Sequence, residues 1–191
     1  MNEENDRNNS QSSPEAPLFK SRVFEIVERT QLGRSGKLLK RHVVKHPGAV
    51  GIVPILPDGR VALIRQFRIS INQTIYEIPA GTREPGEEPI VTAERELIEE
   101  TGYRCEKLTP LTSIFTSPGV LQEELFLFLA TGLVAGESAL EDGELIELEP
   151  KTWREIDEMI ASGTIQDSKT LVGLLLAQRA LDIRPTAQAQ L

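Results

Sequence analysis

Glutamates crowd one short stretch of the chain, where seven of them fall between residues 81 and 102. Glu96 lies three positions before Glu99 and four before Glu100, so on a helix their carboxylates would share one region of surface. Two like charges about 4 Å apart cost roughly 4 kcal/mol near a protein surface, and a divalent cation would remove that cost. Magnesium takes carboxylate oxygens together with water and substrate phosphate. The spacing therefore indicates either a magnesium site or a solvated acidic face.

A helix is predicted to carry these carboxylates. Pro89 favours a first helical turn and Gly102 favours a stop, which brackets residues 89–101. Further glycines precede the helix, so a tight loop could return Glu87 to it. Three apolar residues recur at helical spacing and are predicted to form the buried stripe: Ile90, Ala93 and Leu97.

Short strands are predicted on both sides of this helix. Two antiparallel hairpins are expected, from residues 23–30 with 37–45 and from residues 49–56 with 61–67. Later strands are expected over residues 74–81, 124–131 and 144–149, with a polar loop before the last of them.

Two more helices are predicted near the C-terminus. Thr152 and Glu155 fit a capping box for a helix through Met159. A final helix over residues 168–182 presents four leucines near one face: Leu171, Leu174, Leu175 and Leu181. Strands with interspersed helices predict an α/β domain in which helices pack on a mixed sheet.

The bulk composition narrows the classes of partner. The chain has 191 residues, with 21 basic and 29 acidic side chains and a net charge of −8. Such a surface repels nucleic acids and anionic membranes, so neither is expected as a partner. Cys105 is the only cysteine, which excludes an intrachain disulfide and a cysteine zinc site. No apolar run approaches the roughly 18 residues of a membrane span, and a cytoplasmic enzyme or binding module is expected.

The acidic stretch resembles the Nudix box, GX5EX7REUXEEXGU. Gly81, Glu87 and the run from Arg95 to Gly102 match its invariant positions, and Tyr103 departs from the aliphatic residue that the pattern prefers. The resemblance extends over about residues 20–182. It implies a Nudix-type α/β/α sandwich with a mixed sheet and an N-terminal antiparallel strand region, and hydrolysis of a nucleoside diphosphate linked to another group.

The implied organisation has four segments. Residues 1–17, rich in Asn, Gln, Ser, Glu and Pro, are predicted to be a disordered tail, and residues 184–191 a flexible C-terminus. Residues 18–48 would form strands that pair across a homodimer. Residues 49–183 would form the Nudix hydrolase domain.

The resemblance also implies roles for the residues of the box. Glu96 and Glu100 would be the principal ligands of Mg²⁺, or of Mn²⁺, with Glu99 as an additional or alternative ligand. The backbone carbonyl of Ala80 would complete the protein ligands, and Arg95 would orient the carboxylates. For the catalytic base, the resemblance favours Glu144 in the polar loop before the last strand, and the alternatives are Glu141, Asp142 and Glu123.

The flanks are similar to the ADP-ribose pyrophosphatase subgroup. Pro118 lies sixteen residues after Gly102, as in that subgroup, and the runs LIRQFR and YEIPAG are also similar to it. This implies a nucleoside diphosphate sugar substrate, with Arg68 on the diphosphate and Glu77 placing the nucleotide. The other implied substrate residues are Arg41, Pro118 and Glu123. A GDP-mannose pyrophosphatase of the same fold and a non-hydrolytic nucleotide sensor are the alternatives.

Overall fold

A computed structural model describes residues 17–137 and 145–183. The strands within these residues are β1 Pro17–Lys20, β2 Glu25–Leu32, β3 Leu38–Lys45, β4 Ala49–Pro54, β5 Val61–Arg68, β6 Gln73–Glu77, β7 Ala80–Thr82, β8 Tyr103–Arg104, β9 Lys107–Phe115, β10 Leu121–Gln122, β11 Glu124–Thr131, β12 Val134–Ala135 and β13 Ile146–Lys151. The helices are α1 Pro89–Thr101, α2 Trp153–Ala161 and α3 Ser168–Ala180. In this part of the chain, no helix has both the length and the apolarity to cross a membrane.

The described chain divides into two compact units, and the first comprises residues 17–47 and 117–123. It is a four-stranded sheet in the order β1-β2-β3-β10. β2 and β3 pair antiparallel along their full lengths, which confirms the first predicted hairpin. β10 runs parallel to β3, so the segment around residues 117–123 is attached to this hairpin.

The second unit comprises residues 48–116 and the described residues from 124 onwards. Its larger sheet has the order β7-β4-β11-β9, in which β11 runs parallel to β4 and antiparallel to β9. A second sheet, β13-β5-β6, is antiparallel. The α/β class with a mixed sheet is therefore confirmed.

Alternate residues of β4 and β11 face opposite sides of the mixed sheet, as the pleat of a strand requires. One side packs against α1 in a cluster that includes Val50, Ile52, Phe128, Ala93 and Leu97. The other side packs against α3 in a cluster that includes Val53, Leu127, Ile78, Leu174 and Ala177. Helices thus cover both faces of the sheet, in the layered arrangement expected for α/β/α packing.

The second predicted hairpin is wrong. β4 and β5 belong to different sheets and are joined only by an isolated bridge between Ile55 and Val61. The physical reason is that β11 pairs with β4 along its whole length on one side and β7 pairs with Ala49–Gly51 on the other, so β5 cannot pair along the length of β4.

The strand predicted over residues 74–81 is broken in two. Pro79 has no N–H to donate to a sheet, so the strand ends at Glu77 and resumes at Ala80. β6 pairs with β5 in the second sheet, whereas β7 pairs with β4 in the mixed sheet. This change of sheet places Glu77 in one sheet and Ala80 and Gly81 in the other.

The predicted helices are observed, with corrections to their buried faces. α1 begins at Pro89, and Gly102 caps its end with a left-handed φ of 74°. Ile90 is 43% exposed, because the buried face of α1 starts a turn later and runs through Ala93, Glu96, Leu97 and Glu100. Leu175 in α3 is also exposed, since Leu174 and Ala177 supply the inward contacts. The capping box of Thr152 and Glu155 is present as predicted.

Candidate active site

Two carboxylates of α1 are turned inward. Glu96 and Glu100 are only 8% and 5% exposed, although charged side chains are seldom buried unless they are paired or bind a ligand. They are one helical turn apart and point to the same side as Ala93 and Leu97. The sequence therefore buries charge on the apolar face of this helix.

The backbone at the start of β7 receives both carboxylates. The Ala80 N–H donates a hydrogen bond of 2.9 Å to Glu100 Oε2. A Cβ atom on Gly81 would lie 1.9 Å from the carboxylate carbon of Glu96, so no side chain fits at this position. Glycine is required here because the Glu96 carboxylate approaches the backbone so closely. The backbone itself does not require glycine, since the φ of Gly81 is not in the left-handed region.

One arginine binds three of the carboxylates in and before α1. Arg95 Nη1 lies 2.7 Å from Glu96 Oε1 and 3.0 Å from Glu99 Oε2, and Arg95 Nη2 lies 3.2 Å from Glu87 Oε2. We refer to Glu87, Arg95, Glu96, Glu99 and Glu100 as the box cluster. The pKa of Arg95 is raised mainly by its hydrogen bonds to Glu87. Glu96 and Glu99 raise it further.

Glu87 organises the loop that leads into the helix. Its Oε2 accepts hydrogen bonds from the Glu84 N–H at 3.1 Å and from the Thr92 hydroxyl at 2.8 Å, in addition to the bond from Arg95. These bonds, led by that of Arg95, together outweigh the opposing effect of desolvation and lower the pKa of Glu87 to about 2. The loop thus returns Glu87 to the helix.

The oxygens of the box cluster fit a hard divalent cation in their chemistry. Across residues 17–137 and 145–183, no three His, Cys, Asp or Glu side chains are grouped so that they could hold a metal ion as a set. Arg95 draws Glu87 and Glu99 to its guanidinium. Magnesium commonly uses only one or two carboxylates and completes its shell with water and phosphate, which the neighbouring Glu96 and Glu100 could satisfy.

A second charged group lies where β6 ends. Arg68 binds Glu77 through two hydrogen bonds of 2.6 Å, from Nε and from Nη2, and Lys169 Nζ binds the same carboxylate. Lys169 also lies 3.0 Å from Asp167 Oδ2. We refer to Arg68, Glu77, Asp167 and Lys169 as the Glu77 network.

Glu77 is the buried centre of this network, at 1% exposure. Burial pushes the pKa of Glu77 upward, but the hydrogen bonds of Arg68 and the charge of Lys169 outweigh burial and leave this pKa below its ordinary value. The carboxylate is therefore ionised and fully engaged. The nucleotide contact predicted for Glu77 stays a prediction, and the bonds observed make it an anchor for two cations.

The two charged groups are neighbours. The pKa of Arg68 is raised chiefly by its hydrogen bonds to Glu77, with smaller contributions from the charges of Glu100 and Asp167. α3 is fixed beside β6 because the Thr170 hydroxyl accepts the Ile78 N–H at 2.9 Å. Asp167 caps this helix through the Thr170 N–H.

Sequence reasoning missed Lys169 and its place in the network. The capping of α3 by Asp167 could have been recognised from the spacing of Asp167 and Thr170. Nothing local identifies Lys169 as a partner of Glu77, since 92 positions separate them.

The other predicted substrate residues belong to the first unit. Arg41 in β3 is exposed and its Nη1 donates to the Lys40 carbonyl at 3.2 Å. Pro118 and Glu123 lie in the segment attached to that strand, and Glu123 Oε1 is 3.4 Å from His46 Nδ1. Glu144, Glu141 and Asp142, the candidates for the base in the polar loop, lie outside the described residues.

The chain is similar to several characterised proteins. ADP-ribose pyrophosphatase of Bacillus subtilis (strain 168) is 39% identical over 176 residues, which cover 91% of this chain and 92% of the relative. Methanol dehydrogenase activator of Bacillus methanolicus is 40% identical over 164 residues, 84% of this chain and 88% of the relative. GDP-mannose pyrophosphatase of Yersinia pestis (strain Pestoides F) is 29% identical over 170 residues, 84% of this chain and 85% of the relative.

A solved structure described as an ADP compounds hydrolase shares the fold, with a TM-score of 0.74 at 21% identity, over 87% of this chain and 91% of that one. A family model described as the NUDIX domain matches residues 45–181. That match covers most of the chain and includes the whole box cluster. Together with the 39% identity to the Bacillus subtilis relative, it shows that this chain belongs to the Nudix hydrolase family.

Proposed function

We propose that this chain hydrolyses the pyrophosphate bond of ADP-ribose or a similar nucleoside diphosphate sugar, giving AMP and a sugar phosphate in the ADP-ribose case. The observation that carries the proposal is the pair of buried carboxylates, Glu96 and Glu100, packed against the backbone of Ala80 and Gly81. The name of the Bacillus subtilis relative supports the choice of substrate.

A divalent cation, Mg²⁺ or Mn²⁺, would be held by Glu96, Glu100 and the Ala80 carbonyl, with Glu99 as an additional or alternative ligand. Such an ion polarises a diphosphate and lowers the pKa of a coordinated water. Arg95 would contribute by orienting these carboxylates, since its guanidinium binds Glu96 and Glu99 directly.

Arg68 would bind the diphosphate. Its side chain is about one-third exposed and feels the charge of Glu100, and Glu77 fixes the orientation of its guanidinium through two hydrogen bonds. An acidic protein needs such a local positive charge to hold a doubly anionic group. The further substrate contacts in this proposal are those of Arg41, Pro118 and Glu123.

Glu144 would take a proton from the attacking water. Carboxylates that bind metal are poor proton acceptors, so a base from a loop outside the helix is expected. Glu144→Gln should lower kcat by about 10²–10⁴-fold and leave KM nearly unchanged. A Glu144→Gln enzyme within a few-fold of wild type, together with an inactive Glu123→Gln enzyme, would move this role to Glu123.

A substrate panel tests the proposed function. ADP-ribose, GDP-mannose, NADH and diadenosine polyphosphates are incubated with the protein and Mg²⁺, and the phosphate released by a coupled phosphatase is measured. The highest kcat/KM is expected for ADP-ribose, and turnover should stop when a chelator removes the metal. Absence of turnover on every compound would refute the proposal.

Two alternatives give different results in the same panel. A GDP-mannose pyrophosphatase, favoured by the 29% identical relative, would show the highest kcat/KM for GDP-mannose. A non-hydrolytic sensor would bind one of these nucleotides, by calorimetry, without turning it over.

A cytoplasmic homodimer is proposed as the working form, with the strands of residues 18–48 paired between subunits. Several large apolar side chains of these strands are exposed, among them Leu18, Phe19, Leu32 and Leu38. Light scattering should give about twice the chain mass of 21.2 kDa. A fully active monomer would exclude a site shared between subunits.

A further inference from the structure

Gln66 in β5 has a buried polar atom without a partner. The residue is 8% exposed, and its Oε1 oxygen accepts no hydrogen bond from any of the described residues. Within residues 17–137 and 145–183, it is the one buried side-chain oxygen or nitrogen in this condition. Buried polar groups are almost always satisfied, because leaving one unpaired is destabilising. Gln66 Oε1 therefore needs a hydrogen-bond donor from outside the described residues.

Gln66 lies on the face of β5 that carries Arg68. Side chains alternate along a strand, so Ile64, Gln66 and Arg68 point to one side of the sheet. Glu77 is the cross-strand partner of Ile64 and lies on this side too, as its hydrogen bonds to Arg68 require. The Arg68 side chain reaches back along this face to Glu77, the partner of Ile64, and Gln66 lies between Ile64 and Arg68 on β5, on the same side of the sheet as the guanidinium.

The chemistry of the unpaired oxygen restricts what could satisfy it. A carbonyl oxygen accepts and cannot donate, so its partner must carry an N–H or an O–H group. An ionised diphosphate offers only acceptors and is excluded. Gln66 and Arg68 are neighbours on one face of β5, so a group attached next to a diphosphate held by Arg68 would come close to Gln66. In a nucleoside diphosphate sugar, the donors at that place are sugar hydroxyls.

We propose that Gln66 is a substrate-binding residue whose Oε1 accepts a hydrogen bond from a sugar hydroxyl of a nucleoside diphosphate sugar. This rests on the proposed function, because it takes the diphosphate to lie at Arg68. Gln66 would then distinguish substrates by the position of a hydroxyl, while Arg68 holds the diphosphate that all of them share.

Calorimetry on Gln66→Met tests the contact. The substitution keeps the length of the side chain and removes its hydrogen-bonding groups. The ligands are the α,β-methylene analogues of ADP-ribose and of ADP, with Mg²⁺, and the second analogue lacks the distal ribose. The Kd of the ADP-ribose analogue should rise by about 3–10-fold, the effect of one neutral hydrogen bond. If the ADP analogue is unaffected, the donor is on the distal ribose, and if both weaken, it is on the adenosine ribose.

Unchanged affinity for both analogues would overturn the proposal for Gln66 and leave the proposed function intact. Failure of the wild-type protein to bind the ADP-ribose analogue, or to hydrolyse any nucleoside diphosphate sugar, would overturn both. Gln66→Leu repeats the test with a different side chain.

Thermal unfolding separates this role from a structural one. Gln66→Met removes an unsatisfied polar atom, so its Tm should stay the same or rise while its affinity falls. Gln178→Met is the matched control, because Gln178 is also buried and its Nε2 donates to Asp157 Oδ1 at 2.7 Å. The control should lose stability and keep its affinity. A lower Tm with unchanged affinity in Gln66→Met would show a structural role instead.

Discussion

The box cluster and the Glu77 network are both built from charged side chains, but their charges are balanced differently. In the box cluster, one guanidinium, that of Arg95, binds the carboxylates of Glu87, Glu96 and Glu99. Glu100 lies on the same helix as Glu96 and Glu99. In the Glu77 network, one carboxylate binds two cations, and Asp167 provides a second anion. The first group gathers negative charge around one cation, whereas the second pairs its charges one for one.

This difference indicates which of the two groups is suited to bind a further cation. In the charge-balanced network, the buried Glu77 serves to fix geometry, because both of its oxygens already bind Arg68 and Lys169. A group of carboxylates around one arginine gains from a further cation. Substitutions in the box cluster should therefore affect turnover more than stability. Substitution of Glu77, the buried centre of the other group, should affect stability more than turnover.

The largest effect is expected from Glu96→Gln and Glu100→Gln. Each removes a proposed metal ligand, and loss of several kcal/mol of transition-state stabilisation lowers kcat by about 10³-fold or more. The unfolding free energy should change little. Glu94→Gln is the control on the exposed face of α1 and should behave as wild type. Near-normal kcat at limiting Mg²⁺ in either variant would remove that glutamate from the metal site.

Glu77→Gln should produce the main loss of stability. It leaves Arg68 and Lys169 beside a neutral amide in a buried position, and breaking a buried ion pair costs about 3–5 kcal/mol. We expect about 3 kcal/mol by urea unfolding, the lower end of that range, because the Arg68 side chain is 36% exposed.

The control for this substitution is Glu149→Gln. Glu149 also contacts two cations, Arg65 and Lys151, but it lies nearer the surface. Surface pairs contribute about 1 kcal/mol or less, so this variant should be nearly as stable as wild type. Equal losses of stability in the two variants would contradict the assignment of Glu77 as a buried anchor.

The two groups also differ in how far the sequence predicts them. Every member of the box cluster falls within fourteen consecutive positions, so helical spacing and the family resemblance point to its carboxylates together. The Glu77 network joins β5, β6 and α3, and no local pattern links Lys169 to Glu77. The same distinction explains the errors in the fold. The hairpin of β2 and β3 follows from its turn, whereas the separation of β4 from β5 depends on the distant β11 occupying an edge of β4.

Gly81→Ala should have an intermediate effect on the box cluster. The added Cβ would meet the Glu96 carboxylate at 1.9 Å, so this side chain must move away from its position beside β7. Overpacking of this kind costs about 1–3 kcal/mol, and we expect a similar loss of stability with a fall in kcat. In a double-mutant cycle, Glu96→Ala should relieve most of the stability loss, because the colliding group is gone. Strict additivity of the two changes would show that the collision does not set the requirement for glycine.

The smallest effect is expected for the contribution of Glu87 to stability at acid pH. Its pKa is lowered from an ordinary 4.5 to about 2, chiefly by Arg95. A group whose pKa falls on folding adds stability above its unfolded pKa and loses that contribution as the pH drops through the folded value. The stability advantage of wild type over Glu87→Gln should therefore be constant above pH 4.5 and disappear as the pH approaches 2. Added salt should reduce this advantage, because Arg95 and Glu87 are both partly exposed.

Glu88→Gln is the control, since the neighbouring Glu88 side chain makes no capping hydrogen bond. If the two variants lost stability in parallel throughout this pH range, Arg95 would not be the source of the Glu87 contribution.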